Sequence, residues 1–318
     1  MFRLLLAFLM LFPATAASAQ EAGFERRTTA DGIEVGIWYP AKGTPAPRRF
    51  GLNEQPIVAG AMVPAGQYPL VVISHGTGGD YAGHADTAVA LARAGFIVAA
   101  LTHPGDNWRD RSRATHIEDR PPALGALIDY MLAAWPSHAS IDAKRIGAFG
   151  FSAGGFTVLA AAGGQPDLTR LPGHCAEHPA YFDCMLIRSD SRREPFAWPA
   201  RRDARIKAVV AAAPALGFAF DRAGLKQVTI PIQLWRADDD HILPAPLYAD
   251  AVRAALPRQP EFHTVPGAGH YDFLTPCADP KQMPEICTSA PGFDRVAFHQ
   301  AFDTAVVAFF QRTLAFKR

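Results

Sequence analysis

Short apolar runs alternate with segments of helical spacing along most of the chain, and this alternation predicts the fold. Continuous apolar runs, such as 68–74 and 206–213, are typical of strands that a sheet buries on both faces. Between such runs, Leu124, Leu127 and Met131 form the apolar stripe of an amphipathic helix. Because strands that alternate with helices form a doubly wound, mostly parallel sheet, we predict a fold of the α/β class.

The same pattern predicts where the individual elements lie. The expected strands lie within 24–39 and at 68–74, 96–101, 144–149, 206–213, 230–235 and 262–265, and the expected helices lie before Gly95 and at 124–135, 153–162 and 298–310. The first strand alternates apolar and polar positions, so we expect it to be antiparallel at the start of the sheet. Residues 41–56 are rich in Pro, Gly and Arg and are predicted to be a loop.

One turn in this pattern has the composition of a catalytic motif. Residues 150–154 have the sequence Gly-Phe-Ser-Ala-Gly and lie between the strand at 144–149 and the helix at 153–162. In a nucleophile elbow of this kind the serine occupies a strained turn, and small neighbours let strand and helix pass close together. The alternative is a glycine-rich turn that contains a serine by chance. The flanking elements favour the elbow, so Ser152 is the predicted nucleophile.

Candidates for a base and an acid follow the elbow in the sequence. A serine hydroxyl is a weak nucleophile at neutral pH and needs a base, which in turn needs an acid to orient it. His270 lies in a glycine-containing loop after the last predicted strand, and the alternative is a surface histidine. Of the three aspartates that follow the strand at 230–235, Asp240 is the predicted acid, because two apolar residues and a proline leading into a helix are common in this loop. Asp239 and then Asp238 are the alternatives.

An oxyanion that develops during acyl transfer needs two hydrogen-bond donors near the serine. One predicted donor is the backbone N–H of Ala153, the residue after the nucleophile. The other is the backbone N–H of Thr77, in the glycine-rich turn that follows the strand at 68–74. In this interpretation His75 holds the turn and takes no part in the chemistry.

Residues 163–203 do not fit the alternation of strands and helices. Because an unstructured segment of this length is unusual in a compact domain, we predict an insertion with its own small structure that can fold over Ser152 as a lid. The residues that can form its apolar wall are Tyr181, Phe182, Met185, Leu186, Ile187, Phe196 and Trp198. Its arginines, which include Arg192 and Arg193, either form a solvated face paired with acids or line the pocket mouth and favour anionic substrates.

Composition and charge restrict the class of protein. Hydrophobic residues make up 49% of the 318 residues, which is typical of a globular chain. The formal net charge is +1, whereas proteins that bind nucleic acids electrostatically are far more basic. We therefore expect no nucleic-acid partner.

The N-terminus has the features of a secretory signal peptide. Arg3 precedes a short apolar run at 4–12, and an Ala-Ser-Ala cleavage site ends at Ala19. We therefore predict removal of residues 1–19, a mature domain at 20–318, and a periplasmic or secreted protein. The alternative is an uncleaved anchor, but the run is too short to span a bilayer, so we expect no stable membrane span after cleavage.

Four cysteines are consistent with export. They are Cys175, Cys184, Cys277 and Cys287. An even number in an exported chain predicts disulfides, and we favour the first with the second and the third with the fourth, because each pair lies within one irregular segment. A zinc site that uses His174 and His178 is the competing interpretation. No Cys-x-x-Cys spacing supports it, so we predict no metal.

Together these residues resemble those of the α/β-hydrolase family. The features that match its pattern are the elbow at 150–155, the Ser-His-Gly-Thr-Gly-Gly turn at 74–79, Asp240 and His270, and the resemblance covers nearly the whole mature chain. The turn at 74–79 and the His-Pro-Gly-Asp sequence at 103–106 are similar to the branch of predicted dienelactone hydrolases and platelet-activating-factor acetylhydrolase-like proteins. True dienelactone hydrolases use a cysteine nucleophile, whereas this chain has Ser152.

The resemblance implies a carboxylic ester hydrolase that acts on small-molecule esters without a metal or an organic cofactor. Ser152, His270 and Asp240 would then form a triad that works through an acyl-enzyme. A peptidase or amidase could use the same residues. A non-catalytic binding protein on a hydrolase fold is a further alternative, but such proteins usually lack a triad residue. Failure of a fluorophosphonate to label Ser152 would indicate that alternative.

Overall fold

The structure is a computed structural model that describes residues 20–190, 198 and 202–315. The predicted signal peptide at 1–19 lies outside the described residues, as do Arg192, Arg193 and Phe196 of the insertion. The signal peptide therefore stays a prediction, and so does the proposed role of these arginines in substrate selection.

In the described residues, ten strands form one large sheet and one separate hairpin. The strands are β1 (Glu21–Thr28), β2 (Glu34–Ala41), β3 (Ala46–Phe50), β4 (Asn53–Ile57), β5 (Tyr68–Ser74), β6 (Ile97–Leu101), β7 (Ile141–Phe151), β8 (Ile206–Ala212), β9 (Ile232–Ala237) and β10 (Glu261–Val265). The large sheet has the order β1-β2-β6-β5-β7-β8-β9-β10. Strand β2 is antiparallel to both β1 and β6, and the remaining pairs are parallel. The predicted doubly wound, mostly parallel sheet is confirmed.

Helices cover both faces of the sheet. They are α1 (Ala85–Arg93), α2 (Arg120–Ala133), α3 (Ala153–Ala161), α4 (Leu171–Glu177), α5 (Phe182–Arg188), α6 (Arg222–Leu225), α7 (Ala249–Ala255), α8 (Pro284–Cys287) and α9 (Arg295–Thr313). Along β5, Leu70 and Val72 join the core beneath α2, α3 and α7, whereas Val71 and Ile73 join the core beneath α1 and α9. This two-sided burial explains why the central strands are continuous apolar runs. Full burial of each such side chain contributes about 1.5–3 kcal/mol relative to exposure.

Among the helices of the described residues, none is both long enough and apolar enough to cross a membrane.

The prediction of a loop at 41–56 is wrong, because β3 and β4 form a hairpin there. Pro47 and Pro56 face each other across the hairpin, and most side chains of β3 are exposed, so the segment lacks the alternation that marks a strand. Aromatic packing is one of its contacts with the main fold: the Phe50 ring lies 4.7 Å from that of Phe24 and 5.7 Å from that of Trp38. Packing on these neighbours, not local propensity, accounts for the hairpin.

The segment at 163–203 has a small structure of its own where it is described. A 3₁₀ turn at Leu168–Arg170 is followed by α4 and α5, and the Cys175–Cys184 disulfide joins these two helices. The second disulfide joins Cys277 and Cys287 near the C-terminus. Both pairings are those that the sequence favoured. They leave no thiolate of Cys175 for the alternative zinc site.

The helix α3 crosses the ends of β5 and β7 at very short range. A Cβ atom at Gly154 would lie 1.9 Å from the carbonyl oxygen of Ser74, and one at Gly150 would lie 2.0 Å from the carbonyl oxygen of Gly154. Real Cβ atoms do not approach backbone oxygens so closely. Glycine at these two positions is therefore required for the crossing itself.

This crossing predicts a large effect of one methyl group. We expect Gly154→Ala to lower the free energy of unfolding by about 3 kcal/mol or more, because the methyl must displace the backbone of β5. Gly173→Ala in α4 is the matched control, since a Cβ there has no neighbour within 4 Å. The control should be neutral or stabilising by about 0.5–1 kcal/mol. Denaturant titration of both variants measures the difference, and equal stabilities would contradict the steric argument.

Candidate active site

Ser152 lies at the junction of β7 and α3 in the backbone conformation expected of an elbow. Its φ is +56° and its ψ is −118°, a combination that non-glycine residues rarely adopt. The backbone N–H of Ser152 donates to the carbonyl of Ala212, and its carbonyl accepts from the N–H of Ala215, at 2.9 Å each. The end of β8 and the loop that follows it thus hold the strained residue on both sides.

The structure brings the predicted serine, histidine and aspartate together. His270 begins a short 3₁₀ turn, His270–Phe273, that follows β10. Its Nε2 lies 3.0 Å from Ser152 Oγ, and its Nδ1 lies 2.7 Å from Asp240 Oδ2. The side chains of His270 and Asp240 are each only 3% exposed, so water competes little for these contacts. The three groups form one continuous hydrogen-bonded chain.

Of the three consecutive aspartates, only Asp240 reaches His270. Its Oδ1 accepts the backbone N–H groups of Ile242 and Leu243, at 2.9 and 2.7 Å. Burial alone would raise the pKa of Asp240, but the charge and hydrogen bond of His270 and the two backbone donors outweigh it and lower the pKa. Asp238 and Asp239 are exposed at the surface. The backbone amides of the turn therefore select which aspartate is buried.

The predicted oxyanion donors flank the serine. Thr77 and Ala153 line the same cavity as Ser152. Within the described part of the chain, the backbone N–H of neither residue donates a hydrogen bond. The Ala153 N–H is unpaired because it begins α3, and the first N–H groups of a helix have no intrahelical acceptor. Both donors are thus available to an oxygen placed beside Ser152 Oγ.

The cavity beside Ser152 is mainly apolar, and the insertion forms part of its wall. The lining residues from the insertion are Leu168, Leu171, Phe182, Asp183, Leu186 and Ile187. Three of the predicted wall residues are therefore present, whereas Met185 is 49% exposed. The lining also includes a carboxylate that the sequence did not single out. Tyr248 Oη donates to Asp183 Oδ2 at 3.0 Å, and the Cys184 N–H donates to Oδ1 at 2.9 Å.

A buried polar cluster behind the His270 turn was missed by the sequence analysis. His299 on α9 donates from Nε2 to the carbonyl of Asp272 at 2.8 Å, and its Nδ1 lies 2.6 Å from Asp86 Oδ2 on α1. The Asp272 carboxylate in turn accepts the backbone N–H of Gly269 at 2.8 Å. Two helices therefore anchor the turn that carries His270. A single histidine on an apolar helix carries no sequence signal for such a role.

The charges in this cluster stabilise each other. Burial alone would lower the pKa of His299, but the adjacent Asp86 carboxylate outweighs it and raises the pKa. Burial would raise the pKa of Asp86, but His299 and hydrogen bonds from Thr275 and Thr87 lower it to about 2. These shifts favour an imidazolium beside a carboxylate. The nearby Asp303 accepts a hydrogen bond from Thr87, and its pKa is raised well above its usual value by burial and by Asp86.

Two groups in the described part of the chain have donors close enough for a metal ion. Asp86, His299 and Asp303 form one, and His174, Asp183 and Cys184 form the other. Cys184 is in a disulfide and offers no thiolate. In the first group, the ion pair between His299 and Asp86 accounts for their close approach.

The His299–Asp86 pair predicts a pH dependence of stability. Because the folded-state pKa of His299 lies above the usual 6.5, the pair stabilises the fold below this pH and loses that contribution as the pH rises through the folded pKa. We expect His299→Gln to lower the free energy of unfolding more at about pH 6 than at about pH 9. Urea titration at both pH values measures this, and Asp86→Asn should show the same trend. An equal loss at both pH values would contradict a charged pair.

Comparison with known proteins supports the fold and the branch. The sequence model of the family described as platelet-activating factor acetylhydrolase, isoform II, matches residues 49–123, which contain the turns at 74–79 and 103–106. A search of curated protein sequences finds no match. The structure is similar to that of ferulic acid esterase from Streptomyces cinnamoneus, with a TM-score of 0.63 and 20% identity, covering 95% of this chain and 92% of that chain. Both names are those of ester hydrolases, which agrees with the class predicted from the sequence. These findings confirm the α/β-hydrolase fold, and they show that residues 49–123 are similar to the acetylhydrolase family that the motifs predicted.

Proposed function

We propose that this protein is a serine esterase that hydrolyses small-molecule carboxylic esters through an acyl-enzyme. Ser152 is the nucleophile, His270 the general base and acid, and Asp240 the residue that orients His270. The observation that carries the proposal is the buried hydrogen-bonded chain from Ser152 Oγ through His270 to Asp240. Its position beside an apolar cavity gives an ester a place to bind.

The geometry supports a specific sequence of proton transfers. With Nδ1–H donating to Asp240, the Nε2 lone pair of His270 faces the Ser152 hydroxyl and takes its proton as Oγ attacks the ester carbon. The carbonyl π electrons move to oxygen, and the N–H groups of Thr77 and Ala153 stabilise that oxyanion. His270 then returns the proton to the leaving alkoxide. Water repeats these steps on the acyl-enzyme and releases the acid, which restores Ser152.

The insertion at 163–203 gives the cavity part of its apolar wall, and we propose that it serves as a lid over bound substrate. Phe182, Leu186 and Ile187 would contact the substrate beside Ser152. The predicted signal peptide and the two disulfides support action outside the cytoplasm. The acetylhydrolase family and the ferulic acid esterase that resemble this chain support esters as the substrate class.

Removal of the serine oxygen tests the nucleophile. We expect Ser152→Ala to lower kcat for p-nitrophenyl acetate by about 10⁴-fold or more without loss of stability, because one atom is removed. Fluorophosphonate labelling should disappear at the same time. Ser137→Ala is the control, since Ser137 lies just before β7, at the opposite end of that strand from the elbow. Wild-type turnover by Ser152→Ala would refute the assignment.

Replacement of the three aspartates tests the acid. We expect Asp240→Asn to lower kcat by about 10⁴-fold, because the amide favours the wrong tautomer of His270. Asp238→Asn and Asp239→Asn should retain most activity, because both side chains are exposed. Titration of active sites with a fluorophosphonate gives the concentration of folded enzyme, so that kcat is compared per folded molecule. Similar small losses of kcat at all three positions would show that the triad acid is another residue of the chain.

A further inference from the structure

A buried arginine lies directly beneath the turn that carries Thr77. Arg120 begins α2 and is 2% exposed. Its Nη1 donates to the carbonyl of His75 at 2.7 Å, its Nη2 to the carbonyl of Gly76 at 3.2 Å, and its Nε to Asp106 Oδ2 at 2.8 Å. One planar guanidinium thus holds two successive carbonyls and one carboxylate.

The geometry of the peptide unit links this contact to the oxyanion. The carbonyl of Gly76 and the N–H of Thr77 belong to the same peptide, which is planar and trans, so they point in opposite directions. The Gly76 oxygen also lies 2.6 Å from His75 Nδ1 and accepts the N–H of Gly79 at 3.1 Å. Donors that hold this oxygen on one side direct the Thr77 N–H to the other. Thr77 lines the cavity that contains Ser152.

Asp106 completes the arrangement from the His-Pro-Gly-Asp sequence at 103–106. Its Oδ1 accepts the backbone N–H of Gly78 at 2.9 Å while its Oδ2 accepts Arg120. The N–H of His103 donates to His75 Nε2 at 2.9 Å, which leaves the proton of neutral His75 on Nδ1, facing the Gly76 oxygen. The sequence motif that marked the branch therefore supports the turn on both sides of Thr77.

We propose that Arg120 is a positioning residue of the oxyanion hole, which fixes the direction of the Thr77 N–H through the Gly76 carbonyl. The inference rests on the proposed function. A buried ion pair is by itself a weak source of stability, so stability alone does not explain a buried guanidinium at this place. The fork of Arg reaches both carbonyls and Asp106 at once, whereas the single ammonium of Lys cannot.

Arg120→Lys tests the proposal because it retains the positive charge beside Asp106. Per active site titrated with a fluorophosphonate, we expect kcat to fall by about 10- to 100-fold, with little change in KM. A trifluoromethyl ketone, which adds Ser152 Oγ and forms an oxyanion, should bind more weakly by a similar factor. The methyl ketone of the same skeleton, which binds mainly without addition, should bind as before.

Arg295→Lys is the matched control for loss of a buried arginine. Arg295 is 6% exposed and donates to the carbonyls of Leu274 and Ile286, away from the turn at 74–79. We expect it to lower the melting temperature but not the ratio of the two ketone affinities. Two results would show that Arg120 is merely structural and that the proposal is wrong. In the first, Arg120→Lys lowers only the fraction of enzyme that the fluorophosphonate labels. In the second, it lowers the affinity for both ketones equally.

A second variant covers the case in which Arg120→Lys does not fold. Asp106→Asn preserves the side-chain shape but weakens the contacts to Arg120 and Gly78, so the trifluoromethyl ketone should again lose more affinity than the methyl ketone. An unchanged ratio in this variant overturns the proposal. The proposed function fails separately, and only if the parent enzyme is not labelled at Ser152 or if Ser152→Ala retains its activity.

Discussion

The close crossing of α3 over β5 and β7 is the constraint on which the site depends. Only glycine at positions 150 and 154 permits the backbone contacts that hold the helix there. These backbone contacts hold Ser152 at a positive φ, a conformation that persists only where the surroundings impose it. The helix α3 begins at Ala153, so the unpaired N–H of Ala153 lies next to Ser152. One steric condition therefore positions both the proposed nucleophile and one of the two proposed oxyanion donors.

The parallel strands explain why residues far apart in the sequence meet. Thr77, Ser152, Asp240 and His270 follow β5, β7, β9 and β10 respectively, and the carboxyl ends of parallel strands lie at one edge of the sheet. Ser152 directly follows β7, and the other three residues lie within five positions of the end of their strands, so the sequence could predict both the edge and its occupants. The layout of the loop after β9 also favoured Asp240 over its two neighbours, and the structure buries that residue alone.

Other parts of the structure had no local signal. Most side chains of β3 are exposed, and Phe50 packs the hairpin against aromatic residues of β1 and β2. Arg120 follows a charged loop with several other arginines, and nothing in that pattern distinguishes a buried guanidinium from a solvated one. His299 lies among the phenylalanines of α9, where its partners come from α1 and from the His270 turn. In each case the deciding contact is distant in sequence, and periodicity cannot report it.

The two buried ion pairs that the sequence did not indicate share one structural role. Arg120 with Asp106 lies behind the turn that carries Thr77, and His299 with Asp86 lies behind the turn that carries His270. Apolar packing can hold a loop in place, but it does not specify the direction of a peptide group. A donor fixed on a backbone carbonyl does, because the peptide plane transmits the orientation to the opposite N–H. Buried charge is costly, yet directed polar contacts of this kind are what preorganised catalysis requires.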